Sequence, residues 1–244
     1  MTLISLLQEN TPFFLTLTFI LGLTIGSFLN VVIHRVPKIL EQGWKTECRE
    51  LLELDAVSEE KLSLSSPAST CPSCGHKIRA WENIPVFSYL FLRGKCSACG
   101  TSISLRYPVI EFATGLLSLL IAWHFEFTVQ TFGALLLIWT LIALSVIDFD
   151  HKILPDNMTL PVLWLGLLFN LGTVYTDIHS AVIGAIAGYL ALWSVFWLFK
   201  LLTGKEGMGY GDFKLLAALG AWMGWQMLPL VILLSSLVGA VVGL

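Results

Sequence analysis

Seven long apolar runs in a chain of 244 residues set the first constraint on what it can fold into. They lie at about 12–33, 107–123, 128–147, 158–174, 181–202, 213–225 and 227–244, the fourth and sixth being short. Roughly 20 apolar residues in a helix cross the ~30 Å of bilayer hydrocarbon. In lipid, a helix satisfies every backbone polar group within itself, which an open strand cannot do. Composition agrees: 56% of residues are hydrophobic and 13% charged, against about 45–50% and about 25% in soluble domains. The pattern predicts an all-α polytopic membrane protein with about seven transmembrane helices and the lipid bilayer as its principal partner. The first run is too long for a cleaved signal peptide, and no Lys or Arg precedes it.

The cations orient these runs. Of 14 Lys and Arg residues, ten fall between Arg35 and Arg106, and the rest are Lys152, Lys200, Lys205 and Lys214. Threading seven spans puts all of them on one side, which the positive-inside rule assigns to the cytoplasm. The N-terminus is then periplasmic. Nucleic-acid binding has no support, since there is no basic helix and no basic-aromatic stripe outside one loop. The expected organisation is a first transmembrane helix over 1–35, a cytoplasmic loop over 36–106, and a membrane core over 107–244.

The loop divides in two. Residues 38–69 are charged and Ser-rich, with Glu47, Glu50, Glu53, Asp55, Glu59 and Glu60, and read as a solvated helix and linker. Residues 71–104 instead carry a repeated knuckle, C-P-S-C-G-H-K-I at Cys71 and C-S-A-C-G-T-S-I at Cys96. Cys71, Cys74, Cys96 and Cys99 form two C-x2-C pairs separated by 21 residues, a zinc-ribbon spacing. Gly75 and Gly100 follow the second Cys of each pair, where a tight backbone turn is needed. Four thiolates make a closed tetrahedral site, so the expected Zn2+ is structural. The alternatives are two disulfides or four unrelated thiols, and a cytoplasmic loop disfavours disulfides. Cys48 is expected to be an ordinary free thiol, and His76 a surface residue rather than a fifth ligand.

Aspartates at the edges of apolar helices are costly without a task or a partner. Asp148 closes the third run and Asp212 opens the sixth, after Gly209 and Gly211. The alternating topology puts both at the cytoplasmic boundary, although they lie 64 residues apart in sequence. Two carboxylates that meet can share a proton, as aspartic peptidases require for activating water and protonating the leaving amine. The competing explanation for Asp212 is a plain helix N-cap. Among the neighbouring acids, Asp150 reads as solvated and Asp156 as an N-cap. Glu111, just inside the second run, reads either as a buried partner for Arg106 or as a group facing the site.

Taken together, these blocks resemble the type IV prepilin peptidases, the prepilin leader peptidase/N-methyltransferases, over essentially the whole length. The blocks are G-S-F-L-N-V-V-I-H-R-V-P from Gly26 to Pro37, the two knuckles with E-N-I-P-V-F-S-Y-L-F-L-R-G-K-C between them, R-Y-P-V-I-E from Arg106, I-D-F-D-H-K-I-L-P-D from Ile147, and G-Y-G-D ending at Asp212. The resemblance implies an inner-membrane aspartic peptidase that removes the leader of prepilins and pseudopilins, with Asp148 and Asp212 as its catalytic pair. It also implies N-methylation of the newly exposed residue using S-adenosyl-L-methionine, with Gly94 and Lys95 associated with methyl transfer. No glycine-rich Rossmann-like fingerprint places that cofactor here. The family pattern further leads one to expect an eighth span beyond Leu244. The competing functions are another G-x-G-D membrane peptidase without methyl transfer, a zinc-ribbon-bearing transporter whose acids are ion sites, and a structural anchor. The cysteine knuckles argue against the first, and the lack of visible inverted repeats against the second.

Overall fold

The computed structural model describes residues 3–54 and 62–243. Asp55, Glu59 and Glu60, part of the expected linker, lie outside the described residues. The described elements are helical: α1 Leu3–Glu9, α2 Thr11–Leu51, α3 Phe87–Phe91, α4 Arg106–Phe125, α5 Val129–His151, α6 Asp156–Leu171, α7 Ile178–Thr203, α8 Tyr210–Met223 and α9 Leu228–Gly243. Each of the seven apolar runs is a helix. The chain separates into two compact units, one ending at His151 and the other beginning at Lys152.

In the first unit α2, α4 and α5 pack on one another. Asn10 caps α2 by accepting the Phe13 N–H at 3.0 Å, with Pro12 in the first turn where its missing N–H costs nothing. The helix then runs on for 41 residues, through Pro37 and past the apolar boundary at Ile33. Its charged end is the solvated helix expected at the start of the loop. Between α2 and α4 the seam is made of small residues. A Cβ on Gly26 would lie 2.7 Å from the Cα of Glu111, and one on Gly115 would lie 2.8 Å from Leu23 Cδ2. Lipid supplies no hydrophobic drive between helices, so close backbone approach and interhelical hydrogen bonds hold such pairs together. Trp139 of α5 donates from Nε1 to the buried Ser118 Oγ of α4 at 2.9 Å, which links the third helix.

The second unit is built around α8, flanked by α6 and α7. Gly184 and Gly220 meet backbone to backbone, and a Cβ on Gly188 would lie 2.6 Å from the Leu216 carbonyl oxygen. Buried Asn170 fastens the far ends. Its amide donates to the carbonyls of Ala221 and Trp222, and its Oδ1 accepts the N–H groups of Tyr175 and Thr176.

Length separates the helices into two groups. Among the described residues, four helices, α2, α4, α5 and α7, are long and apolar enough to cross a membrane, or five spans result if α8 and α9 count as one. The chain bends by 120° between α8 and α9 at Gly224, whose φ of 80° a side chain would strain. At 1.5 Å per residue, α6, α8 and α9 reach only roughly 21–24 Å. The sequence therefore located each of these helices, and the bend at Gly224 separates α8 from α9.

Candidate functional site

Cys71, Cys74, Cys96 and Cys99 come together with their sulfurs all within 4.8 Å of one another. The two knuckles fold alike. The Gly75 N–H reaches the Cys71 carbonyl at 2.9 Å, and the Gly100 N–H reaches that of Cys96 at 3.0 Å. Both glycines have left-handed φ, 70° and 73°, as the turn requires. Cys71 Sγ lies 3.8 Å from Cys99 Sγ, far beyond a disulfide bond length. Four ligands at a zinc–sulfur distance of about 2.3 Å set tetrahedron edges of about 3.8 Å. The donor set fits a metal ion of that kind.

The thiols reinforce this reading. Hydrogen bonds from the Ser73 and Cys74 backbone favour the Cys71 thiolate, and the Thr101 hydroxyl beside Cys99 brings that thiol down to about 6. The His76 backbone also favours ionisation of Cys74, but the neighbouring Cys99, burial and the other two cysteines together push it up to about 12. Four sulfurs this close cannot all ionise without a cation, which a divalent metal supplies.

His76 turns its Nε2 to within 3.2 Å of Glu82, and Ser97 of the second knuckle donates to the same carboxylate. Glu82 also accepts the Arg79 N–H at 2.7 Å. That backbone bond, with Ser97 assisting, holds the carboxyl down to about 2. Glu82 thus ties one knuckle to the other, a role the sequence signalled only as an acid three residues after Arg79 at the start of a short 3-10 turn. Cys48 is exposed on α2, as expected of a free thiol.

Gly94 has a φ of 66°, and a Cβ there would lie 2.7 Å from the Tyr89 hydroxyl. Its glycine is explained by this turn under the Tyr89 ring. Lys95 is exposed.

Asp148 sits half-buried in the last turn of α5. Asp150 is not simply solvated: it pairs with Arg106 at the start of α4. Glu111 is therefore not the partner of Arg106. It accepts the Val86 N–H at 2.7 Å instead. Arg35 is buried, donating to the carbonyls of Ser63, Leu64 and Pro67 at 2.8, 3.3 and 2.7 Å, so it gathers the returning loop onto α2.

In the second unit Asp212 occupies the first turn of α8, half-buried, and Gly209 is the N-cap. Gly209, not Asp212, holds the N-cap position itself. A Cβ on Gly211 would meet Leu154 Cβ at 2.7 Å, whereas one on Gly209 would approach only Asp212 Oδ2, at 3.7 Å. Internal packing accounts for one glycine of the pair, and open space remains beside the other. Asp156 is likewise no N-cap, since Pro155 holds that position. Its carboxylate binds Lys214 of α8 at 2.6 and 2.7 Å. The sequence hint was that Lys214 is the one cation in α8.

The chain matches two families in succession, the Bacterial Peptidase A24 N-terminal domain over residues 20–125 and the Type IV leader peptidase family over residues 135–244. It belongs to the type IV leader peptidase family. A prepilin leader peptidase/N-methyltransferase of Stutzerimonas stutzeri is 58% identical over all of this chain and 84% of the relative's length. The protein of that name from Pseudomonas aeruginosa shows the same identity and coverage. One from Neisseria gonorrhoeae is 53% identical over 95% of this chain and 82% of its own length. No solved structure matches. With its apolar helices, this leader peptidase family member is a multi-pass inner-membrane protein.

Proposed function

We propose that this leader peptidase family member cleaves the leader from prepilins and pseudopilins with Asp148 and Asp212 as paired carboxylates, then methylates the new N-terminus. The observation that carries the reading is the whole-length likeness to proteins named prepilin leader peptidase/N-methyltransferase. The local placement of each aspartate supports it. Asp148 lies where a helix macrodipole disfavours negative charge, and Asp212 where it favours one, each effect being about 0.3–1 kcal/mol. Asp212 then acts as the ionised base that takes a proton from water as the water attacks the scissile carbonyl. Asp148 acts as the acid that serves the leaving amine, and the two titrate jointly. The knuckle loop and both aspartates face the cytoplasm and the N-terminus faces the periplasm, on the distribution of cations.

The four cysteines hold one Zn2+ as a structural ion that fixes the loop. The methyl donor is S-adenosyl-L-methionine, on the strength of the family's second activity. No residue is assigned to bind it.

The test is cleavage of a model prepilin by purified protein beside Asp148→Ala and Asp212→Ala. Loss of cleavage in each folded variant supports the pair. Cleavage by either folded variant sinks it and turns attention to Asp150, Asp156 and Glu111. Methyl transfer assayed on a precleaved pilin separates the second activity from the first.

A further inference from the structure

The short helix α3 presents its side chains the wrong way round for a water-facing element. Phe87, Leu90 and Phe91, at helical spacing on one face, are 56%, 66% and 83% exposed. Ser88 and Tyr89 are partly covered instead, and the Tyr89 hydroxyl donates inward to the Ile103 carbonyl at 3.3 Å. A surface helix in water buries its apolar stripe and shows its polar face. Trp81 and Ile84, just before α3, are also exposed. Three large apolar side chains aimed outward on so short a helix call for an apolar partner.

The depth of this helix says what that partner is. The residue that opens α3, Val86, donates its N–H to the Glu111 carboxylate at 2.7 Å, and the Ser27 hydroxyl of α2 bonds the same carboxyl. Glu111 stands in the second turn of α4, a helix long and apolar enough to cross the membrane. Five residues past Arg106, it lies roughly 8 Å along the axis from the start of α4. The outward face of α4 at this level is apolar, with Val109 and Phe112 exposed. The start of α3 is thus pinned beside the membrane-entering turns of a span whose outward side chains at that level are apolar. Arg93 and Lys95 follow immediately and are exposed, placed for phosphate groups at a headgroup layer. Interfacial helices bury their apolar face about 5–10 Å into the boundary between headgroups and acyl chains, which matches this depth.

We propose that α3 is an interfacial anchor: Phe87, Leu90 and Phe91 are immersed in phospholipid, in the leaflet from which α4 enters. The loop is then tied to the bilayer at a point of its own, between the two knuckles, as well as through α2 and α4. The anchor precedes Gly94 and Lys95 directly, so it holds that turn at the membrane surface.

Photocrosslinking of the full chain in phospholipid vesicles tests this. Phe91→p-benzoylphenylalanine is irradiated beside the same replacement at Val109, on the exposed face of α4, and at Leu51. The latter is exposed and, 18 residues beyond Ile33 on α2, roughly 27 Å past the apolar boundary. The expected result by mass spectrometry is a phospholipid adduct at 91 comparable to that at 109 and lost at 51. Lipid adducts at 109 but none at 91 would overturn the proposal. So would crosslinking of 91 chiefly to a second copy, or to an added prepilin. Should the variant at 91 fail to fold, the same replacement at Leu90 reads the same face with the same outcomes.

Discussion

Lys214 of α8 grips both carboxylate oxygens of Asp156, the first residue of α6, at 2.6 and 2.7 Å. The pair joins the starts of two helices two residues from Asp212. Positions i and i+2 point to different faces of a helix, so its effect on Asp212 is to hold α8 in place. The pair is partly exposed, and such a pair contributes about 1 kcal/mol or less. Asp156→Asn and Lys214→Met should each slow prepilin cleavage by roughly five-fold or less. Asp156→Lys combined with Lys214→Asp should recover most of that loss, which steady-state cleavage rates will show.

Helix packing beneath Asp212 should be far less forgiving. A Cβ at Gly188 would fall 2.6 Å from a backbone oxygen and 2.9 Å from a backbone carbon of Leu216, neither of which can swing away. Gly188→Val should cost at least about 1–3 kcal/mol, read as a lowered unfolding midpoint in detergent. Gly43, with nothing within 4 Å of its would-be Cβ, is the contrasting site. There Gly→Ala should be neutral or stabilising by roughly 0.5–1 kcal/mol.

Metal content should track the four clustered sulfurs and no other thiol. Purified protein should carry one zinc per chain by elemental analysis. Cys74→Ser and Cys99→Ser should lose it, and Cys48→Ser should keep it. Because ligand binding and folding are coupled in such sites, removal by a chelator should expose the loop to protease.

Glu82 sets a pH dependence whose sign is fixed by its hydrogen bonds. Its folded carboxyl is held at about 2, below the ordinary 4.5. The stability it lends is therefore fully present above about 4.5 and is lost as pH falls through about 2. Glu82→Gln should loosen the knuckles at neutral pH, seen as faster amide exchange at Arg79 and around Ser97. The difference from the unaltered chain should shrink as pH drops through that window. A gap that widened on acidification would contradict this account.

Much of the architecture was legible because its signals are local. Apolar run length depends only on consecutive residues, so every run was found as a helix. The repeated C-x2-C-G pattern encodes a turn within five residues, and both knuckles formed with the left-handed glycines that pattern demands. Asp148 and Asp212 could be singled out because a carboxylate at the edge of an apolar helix stands out in one dimension. Their pairing remains a proposal, resting on family likeness and on the end of the helix that each occupies.

The partners of the remaining charges were not legible. Asp150 looked solvated and Asp156 looked like a cap, yet each holds a cation distant in sequence, Arg106 and Lys214 respectively. Glu111 was read as a partner for Arg106 or a group facing the site; Arg106 pairs with Asp150, and Glu111 holds a backbone N–H of the loop. Sequence by itself determined that the apolar runs are helical and that each C-x2-C-G pair makes a tight turn, because hydrogen bonds within a helix or a turn join near neighbours. Tertiary structure alone decided which ion pairs form, that the chain bends by 120° between α8 and α9, and that α3 turns its aromatic face outward. Those outcomes depend on which surfaces meet when helices pack, and residues far apart in the chain carry no local mark of it.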